Sequence, residues 1–282
     1  MPAELIDGKA LADATLTRVT ERVAALRAAG RRAPCIATVL VGDDPASHSY
    51  VRMKVNRARR VGMEPRRHDL PASTDTAGLV ALIEALSADD AVDGILLQHP
   101  VPAHIDERAA FEAIAAGKDV DGVTHASFAR MAFGEPGFRS ATPGGILALL
   151  DAYGVPLRGT DTVVVGQGPI LGRPLSVLLL AADATVTMCH VHTRDLEAQV
   201  RRADLVVAAV GLPGLIRGEW IKEGAVVIDA GYGPGGRGDV EFDVARERAR
   251  LITPVPGGVG PMTVATLLAQ TLESAERRLG VA

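Results

Sequence analysis

Thr162-Val-Val-Val-Gly166-Gln-Gly168-Pro-Ile-Leu-Gly172-Arg-Pro174 is the stretch that decides how this chain is read. Thr162 to Val165 has the character of a buried strand and Leu171 to Ala181 that of a helix, so the glycines fall in the turn between them. In such a turn, backbone N–H groups and a helix N-terminus can meet a pyrophosphate. Gly166 would permit the tight turn, Gly168 would let the backbone approach a ligand, and Gly172 would let the helix lie close to the sheet. The spacing is GxGxxxG, one residue longer than the common fingerprint. An ordinary βα turn with glycines for packing is the alternative.

The pattern extends outward in both directions. Strands follow at Ala184-Thr-Val-Thr-Met188, Asp204-Leu-Val-Val-Ala-Ala-Val210 and Ala225-Val-Val-Ile-Asp229. Together they make a βαβ series of about 120 residues, the size of a nucleotide-binding domain. Towards the N-terminus, Cys35 to Gly42 reads as a strand, Pro45 to about Val61 and Ala77 to Leu86 as helices, and Gly94-Ile-Leu-Leu-Gln98 as a second short strand. This alternation predicts an α/β fold with parallel sheets covered on both faces. The stretch from Gly117 to Gly145 is loop-rich, which places a domain boundary near its end: residues 1–140, then 141–262. A last amphipathic helix is expected from about Thr263 to Leu279.

Composition narrows the function class. The 282 residues carry 30 Lys+Arg against 34 Asp+Glu, a net charge of -4, which argues against a nucleic-acid partner. The two cysteines, Cys35 and Cys189, cannot make a disulfide framework, and no Cys/His cluster points to a metal. No apolar run approaches a membrane span, and the first residues lack the features of a signal peptide, so a soluble, cytoplasmic protein is expected. Lysine is confined to Lys9, Lys54, Lys118 and Lys222; where arginine is the default cation, a lysine hints at a need for a titratable amine.

Tyr50 and Lys54 are i, i+4 and share one helix face, where a phenol and an amine could orient a substrate and relay protons. Spacing alone favours the plainer reading, a solvated Lys54 with Tyr50 packed at a rim. Gln98 at a strand end and Asp121 in Lys118-Asp-Val-Asp121-Gly122 could line the same cleft, Asp121 equally serving as a turn former. The strand ending at Met188-Cys189-His190 has no acidic residue for a ribose 2′-hydroxyl, which leans towards NADP, with Arg173 and Arg194 as candidate partners for its 2′-phosphate.

Taken together, these blocks resemble the bifunctional methylenetetrahydrofolate dehydrogenase/methenyltetrahydrofolate cyclohydrolase family. The matching residues are Val41-Gly-Asp-Asp-Pro-Ala-Ser47 with Tyr50 and Lys54, Asp93 to Gln98, Lys118 to Gly122, Thr142-Pro143, Gly166 to Pro174, Ala184-Thr-Val-Thr187 with Cys189-His190 and Thr193, Ala203-Asp204, and Thr253-Pro-Val-Pro-Gly-Gly-Val-Gly-Pro-Met-Thr263. The resemblance implies two α/β domains around a cleft, the second Rossmann-like, with residues 263–282 packing back on the first, and a homodimer. It implies oxidation of 5,10-methylenetetrahydrofolate with NADP, NAD being the other candidate, followed by hydrolysis to 10-formyltetrahydrofolate without a metal. By position, Lys54 would be the central catalytic residue of hydrolysis, Tyr50 would stack beside the pterin, Gln98 would tune Lys54 and Asp121 would accept from the pterin. Pro256, Gly257, Gly258 and Val259 would wall the folate site. Dinucleotide contacts would come from Thr142, Gly166, Gln167, Gly168, Gly172, Arg173, His190, Val191, Thr193, Gly211 and Tyr232.

The chain departs from the family pattern at His99, Ala141, Ser127 and Ala129, and, where a 2′-phosphate would be gripped, at Gln167 and Val191. Two other readings therefore stand beside the first. One is a divergent paralogue acting on a related one-carbon pterin or using NAD. The other is a dinucleotide-binding module without turnover.

Overall fold

The structure is a computed structural model and describes residues 2–281. In chain order the elements are β1 (Glu4–Leu5), α1 (Gly8–Ala28), β2 (Cys35–Val41), α2 (Pro45–Arg60), β3 (Glu64–Leu70), α3 (Thr76–Ala88), β4 (Gly94–Leu97), α4 (Glu107–Glu112), α5 (His125–Phe133) and α6 (Ala141–Ala152). They continue with β5 (Asp161–Val165), α7 (Gly172–Ala181), β6 (Thr185–Cys189), α8 (Leu196–Arg202), β7 (Leu205–Ala208), β8 (Val226–Asp229), α9 (Phe242–Arg248), β9 (Leu251–Ile252) and α10 (Val259–Leu279). The fold is α/β, as the alternation predicts, and every strand pairing is parallel.

The chain divides into two compact units. One comprises Ala14–Ala129, Gly137–Arg139 and the residues from Thr266 onward, and holds a three-stranded sheet in the order β3-β2-β4. Its central strand β2 is apolar and buried along its whole length, because it is paired on both sides and covered on both faces. β3 was not foreseen: Glu-Pro-Arg-Arg-His-Asp-Leu has no apolar alternation, and it forms a strand because an edge position tolerates polar side chains and a proline. The other edge, β4, is buried, with the Ile95 N–H donating to the Lys118 carbonyl. A Cβ on Gly94 would meet Val120 at 2.8 Å and Thr271 at 3.0 Å, so only glycine lets that segment and α10 lie so close.

The end of α10 is tied into this unit by polar contacts. The Gln270 side-chain amide donates to the Val120 carbonyl, the Ser274 hydroxyl to the Asp93 carbonyl, and Arg278 to Asp90 and the Val92 carbonyl. Glu276 pairs with Arg22 of α1. The helix starts at Val259, four residues before the expected Thr263, since Gly260 and Pro261 in its first turn are compatible with helix there.

The second unit comprises residues up to Asp13, Arg130–Pro136 and Ser140–Ala265, and holds a six-stranded sheet in the order β1-β9-β8-β7-β5-β6. Its core is built from Val163, Val165, Val206, Ala208 and Val227 on the strands, with Val200, Ile216 and Ala245 from the elements around them. The first residues depart from the boundary drawn on the sequence. They belong to this sheet and not to the N-terminal domain, because β1 pairs with β9, Glu4 opposite Leu251 and Leu5 opposite Ile252. Two-residue strands carry no periodicity that a sequence pattern could reveal.

Asp93 holds the starts of β2 and β4 together. It is fully buried and accepts from both terminal nitrogens of Arg32, at 2.6 and 2.7 Å, and from the Cys35 N–H at 2.8 Å. Replacing it by alanine leaves a buried amide and a guanidinium without their acceptor. Asp93→Ala is therefore expected to lower stability by about 2–3 kcal/mol in urea unfolding, and a loss below about 0.5 kcal/mol would contradict this role.

Candidate active site

α2 is placed by its own sequence. Asp44 caps it by accepting from the Ser47 N–H at 2.8 Å, and Pro45 occupies the first turn, where no N–H is needed. Val51 and Val55 pack against Leu40 of β2, which turns the neighbouring face carrying Tyr50 and Lys54 away from that core. The Lys54 side chain is half-buried, and its Nζ donates to Gln98 Oε1 at 3.0 Å. This overturns the plainer expectation of a solvated lysine: α2 lies over the strand ends, where the amine finds a buried acceptor.

Gln98 follows β4 at the carboxyl edge of the sheet. Its N–H still pairs with Val39, and its side-chain Nε2 donates to the His99 carbonyl at 2.7 Å, which leaves Oε1 turned to Lys54. β3 and β4 lie on opposite sides of β2, so this edge is a point where strand order reverses and a crevice opens.

Asp121 joins the cluster because its neighbours hold the loop from behind. Asp119 is fully buried and accepts from the Val123 and Thr124 N–H groups and from the Thr124 and Ser127 hydroxyls. The Lys118 amine donates to the Leu86 and Asp89 carbonyls. Lys118 and Asp119 are thus occupied in the fold, and Asp121 is left to act on Lys54. Ser127, a departure from the family pattern, is one of the groups holding Asp119. Burial pulls the Lys54 amine below the ordinary lysine range, with Asp121 opposing. Burial pushes the Asp121 carboxyl up, while Lys54 and the His99 imidazole pull it down. Burial thereby draws each group towards its neutral form. Tyr50, on the same face as Lys54, is 37% exposed.

Of the other lysines, Lys222 is paired with Asp204 at 2.6 Å and the Lys118 amine is bonded to carbonyls.

In the other unit, the three glycines of the loop differ in the space around them. Gly166 has φ +118°, and a Cβ there would lie 2.2 Å from the Ala209 carbonyl oxygen. A Cβ on Gly172 would lie 1.9 Å from the Gly166 carbonyl oxygen, whereas Gly168 faces open space with nothing within 4 Å. α7 begins without a side-chain cap; its Arg173 N–H donates to the Gly168 carbonyl and Pro174 has no N–H, so in the first turn the Gly172 N–H is the one left for another acceptor. The residues present therefore fit a pyrophosphate. β6 and β7 flank β5, so this loop also lies where strand order reverses.

The other expected contacts distribute around the same sheet. His190 and Thr193 form a turn after β6, the His190 N–H donating to the Thr193 hydroxyl at 2.8 Å and the His192 N–H to His190 Nδ1 at 3.1 Å. Gln167, Arg173 and His190 are exposed, and Val191 is 87% exposed. Gly211 follows β7 and Tyr232 follows β8, both exposed. Thr142 is on α6, with its hydroxyl 3.0 Å from that of Thr263; Ala141 beside it is buried. The segment Pro256 to Val259 is docked on the start of α1: the Lys9 N–H donates to the Gly257 carbonyl, and a Cβ on Gly8 would meet the Gly258 oxygen at 1.8 Å. Sequence reasoning missed Asp119, Asp229 and Asp239; an Asp at the end of an apolar strand, as in Val-Val-Ile-Asp229, was the available signal.

The loop geometry separates two kinds of glycine. Gly172→Ala is expected to destabilise the protein by about 1–3 kcal/mol through backbone overlap. Gly168→Ala should leave thermal stability within about 0.5 kcal/mol while raising the Kd for a dinucleotide. Equal stability losses in the two variants would contradict this division.

The comparisons with known proteins agree with one another. The family described as "Tetrahydrofolate dehydrogenase/cyclohydrolase, catalytic domain" matches residues 6–121, and its "NAD(P)-binding domain" counterpart matches residues 140–279. "Bifunctional protein FolD 1" of Salinispora arenicola is 62% identical, covering 98% of this chain and 99% of the relative. The protein of the same name from Streptomyces avermitilis is 61% identical, covering 99% and 97%. The bifunctional FolD dehydrogenase/cyclohydrolase of Campylobacter jejuni superposes with a TM-score of 0.95 at 40% identity, covering 98% and 99%. The Trypanosoma brucei enzyme, solved with NADP and an inhibitor, gives 0.95 at 40%, covering 99% of both chains. Family models spanning most of the chain, and full-length relatives at this identity, leave one assignment: the chain belongs to the tetrahydrofolate dehydrogenase/cyclohydrolase family.

Proposed function

We propose that this chain oxidises 5,10-methylenetetrahydrofolate to the 5,10-methenyl cation with NADP and hydrolyses that cation to 10-formyltetrahydrofolate. The observation that carries the reading is the Lys54–Gln98 pair beside Asp121, on a chain that also holds the glycine loop. A bound nicotinamide supplies the acceptor for the hydride lost from the bridging methylene carbon. The loop from Gly166 to Gly172 holds the pyrophosphate by backbone N–H groups, and Asp121 accepts from the pterin amino edge to orient that carbon.

In the second step, water adds through oxygen to the methenyl carbon, and the Lys54 amine accepts the proton released. Gln98 Oε1 holds the amine in place, and the downward pull of burial keeps a neutral fraction available. The bond from that carbon to N5 then breaks, N5 takes a proton, and the formyl group remains on N10. Tyr50 stacks beside the pterin, and Pro256 to Val259 form a wall of the folate site. The methenyl carbon is already electrophilic, so the step needs no metal.

NADP is taken as the preferred dinucleotide because β6 ends without an acidic residue, while the exposed Arg173, His190 and Arg194 are available to an anion. Relatedness to the Trypanosoma brucei enzyme, solved with NADP, supports the same choice. We take the catalytic domain to be residues 1–140 with 263–282, less the strand β1 segment, and the dinucleotide-binding domain to be 141–262. We also assign a homodimer through the dinucleotide-binding unit, whose edge strand β6 exposes Met188, and a cytoplasmic location, consistent with the free thiols of Cys35 and Cys189. Among the described residues, no helix is long and apolar enough to cross a membrane.

Lys54→Met is expected to abolish hydrolysis of methenyltetrahydrofolate while leaving NADP affinity within about two-fold, since only the base is lost. In the unsubstituted protein, the hydrolysis rate should rise with pH along a limb below the ordinary lysine value of about 10.4, because a lowered pKa frees the amine at lower pH. Full hydrolysis by the variant would remove Lys54 from the mechanism. Methylenetetrahydrofolate oxidation, assayed with NADP and NAD at equal concentration, is expected to favour NADP. Turnover with NAD alone would reverse the dinucleotide assignment, and binding without turnover would favour the non-catalytic alternative.

A further inference from the structure

The turn after β7 is held from its buried side by a single carboxylate. Asp239 is 0% exposed, and its Oδ2 accepts from the Val210 N–H at 2.6 Å and the Gly211 N–H at 3.0 Å. Its Oδ1 is buried with no hydrogen-bond partner. A Cβ on Gly231 would overlap the Asp239 carboxyl carbon at 2.1 Å, so the absence of a side chain after β8 makes room for the group. Asp239 is itself held: its N–H donates to Asp229 Oδ1, which also accepts from Gly231, while Asp229 Oδ2 accepts from Val240. Burial and the neighbouring Asp239 charge push the Asp229 carboxyl up against the pull of these amides.

The opposite side of this turn is open. Gly211 has φ +72° and nothing within 4 Å of its Cβ position, and Leu212 is 54% exposed. Ala209, one residue before Val210, puts its carbonyl oxygen against Gly166 of the glycine loop. The turn therefore borders the crevice where strand order reverses between β5 and β7.

We propose that Asp239 is a positioning residue for the dinucleotide-dependent step: its Oδ2 fixes the Val210–Gly211 turn in the shape that meets the dinucleotide. The inference rests on the functional reading above. Asp239 contacts neither substrate nor dinucleotide, and it acts on the turn by accepting its two N–H groups. Since one oxygen receives both amides and the other has no partner, asparagine can keep both bonds with its carbonyl and place its NH2 at the vacant oxygen position. Alanine keeps neither.

The test is calorimetric titration of NADP into the wild-type protein, D239A and D239N, with methenyltetrahydrofolate hydrolysis measured on each. D239A should weaken NADP binding about ten-fold and D239N by no more than about three-fold. Both should hydrolyse methenyltetrahydrofolate within about two-fold of wild type, because Lys54, Gln98 and Asp121 lie on the other unit. D239A binding NADP like wild type, or D239N losing as much as D239A, would overturn the inference. A wild-type protein that binds neither NADP nor NAD would overturn the functional reading together with the inference. If D239A fails to fold, hydrogen exchange in the unsubstituted, dinucleotide-free protein decides: protected Val210 and Gly211 amides support the role, and exchange at exposed-loop rates refutes it.

Discussion

Parallel pairing on both sides of an early strand is the constraint on which the rest of this molecule depends. β2 receives β3 on one side and β4 on the other, and β5 receives β6 and β7 in the same way. The crossovers leaving each central strand must diverge to opposite sides, so the chain cannot close over the carboxyl edge between them. Gln98 with α2 occupies one such edge and the glycine loop the other. One topological device is thus used twice.

Buried carboxylates do the second part of the work, and they do it by accepting from the backbone. Asp93 joins the starts of β2 and β4, Asp119 ties the loop that carries Asp121, and Asp229 and Asp239 stitch the ends of β7 and β8. Each replaces water around a buried anion with fixed N–H or O–H donors, without which burial would be prohibitive. Asp121 differs because its surroundings offer it charges, Lys54 and His99, in place of a backbone cradle. That contrast sets it apart within a segment otherwise committed to structure.

The departures from the family pattern sort themselves by the same physics. Ser127 donates to Asp119 at 2.6 Å, so the substitution is absorbed into the loop's own hydrogen bonding. Ala141 is buried at the start of α6. His99 supplies the carbonyl that orients Gln98 and an imidazole that bears on Asp121. Gln167 and Val191 are exposed beside the dinucleotide loop, where a change of side chain alters what a ligand meets and not what the fold needs.

The sequence by itself determined the α/β class, the strand-turn-helix at Gly166, and the identity of Lys54, Gln98 and Asp121 as residues worth placing. These are legible because strand periodicity and glycine spacing are local, and because the family blocks run along the whole chain. Polar β3 and the two-residue strands β1 and β9 were not legible, since what makes them strands is a partner distant in sequence: β3 pairs with β2, and β1 with β9. Tertiary structure alone decided that the Lys54 amine is half-buried and bonded to Gln98, that Lys118 and Asp119 hold the loop from behind, and that Asp239 grips the turn after β7. Charge state and hydrogen-bond partner belong to the environment of a group and not to its residue type, and only the folded chain supplies that environment.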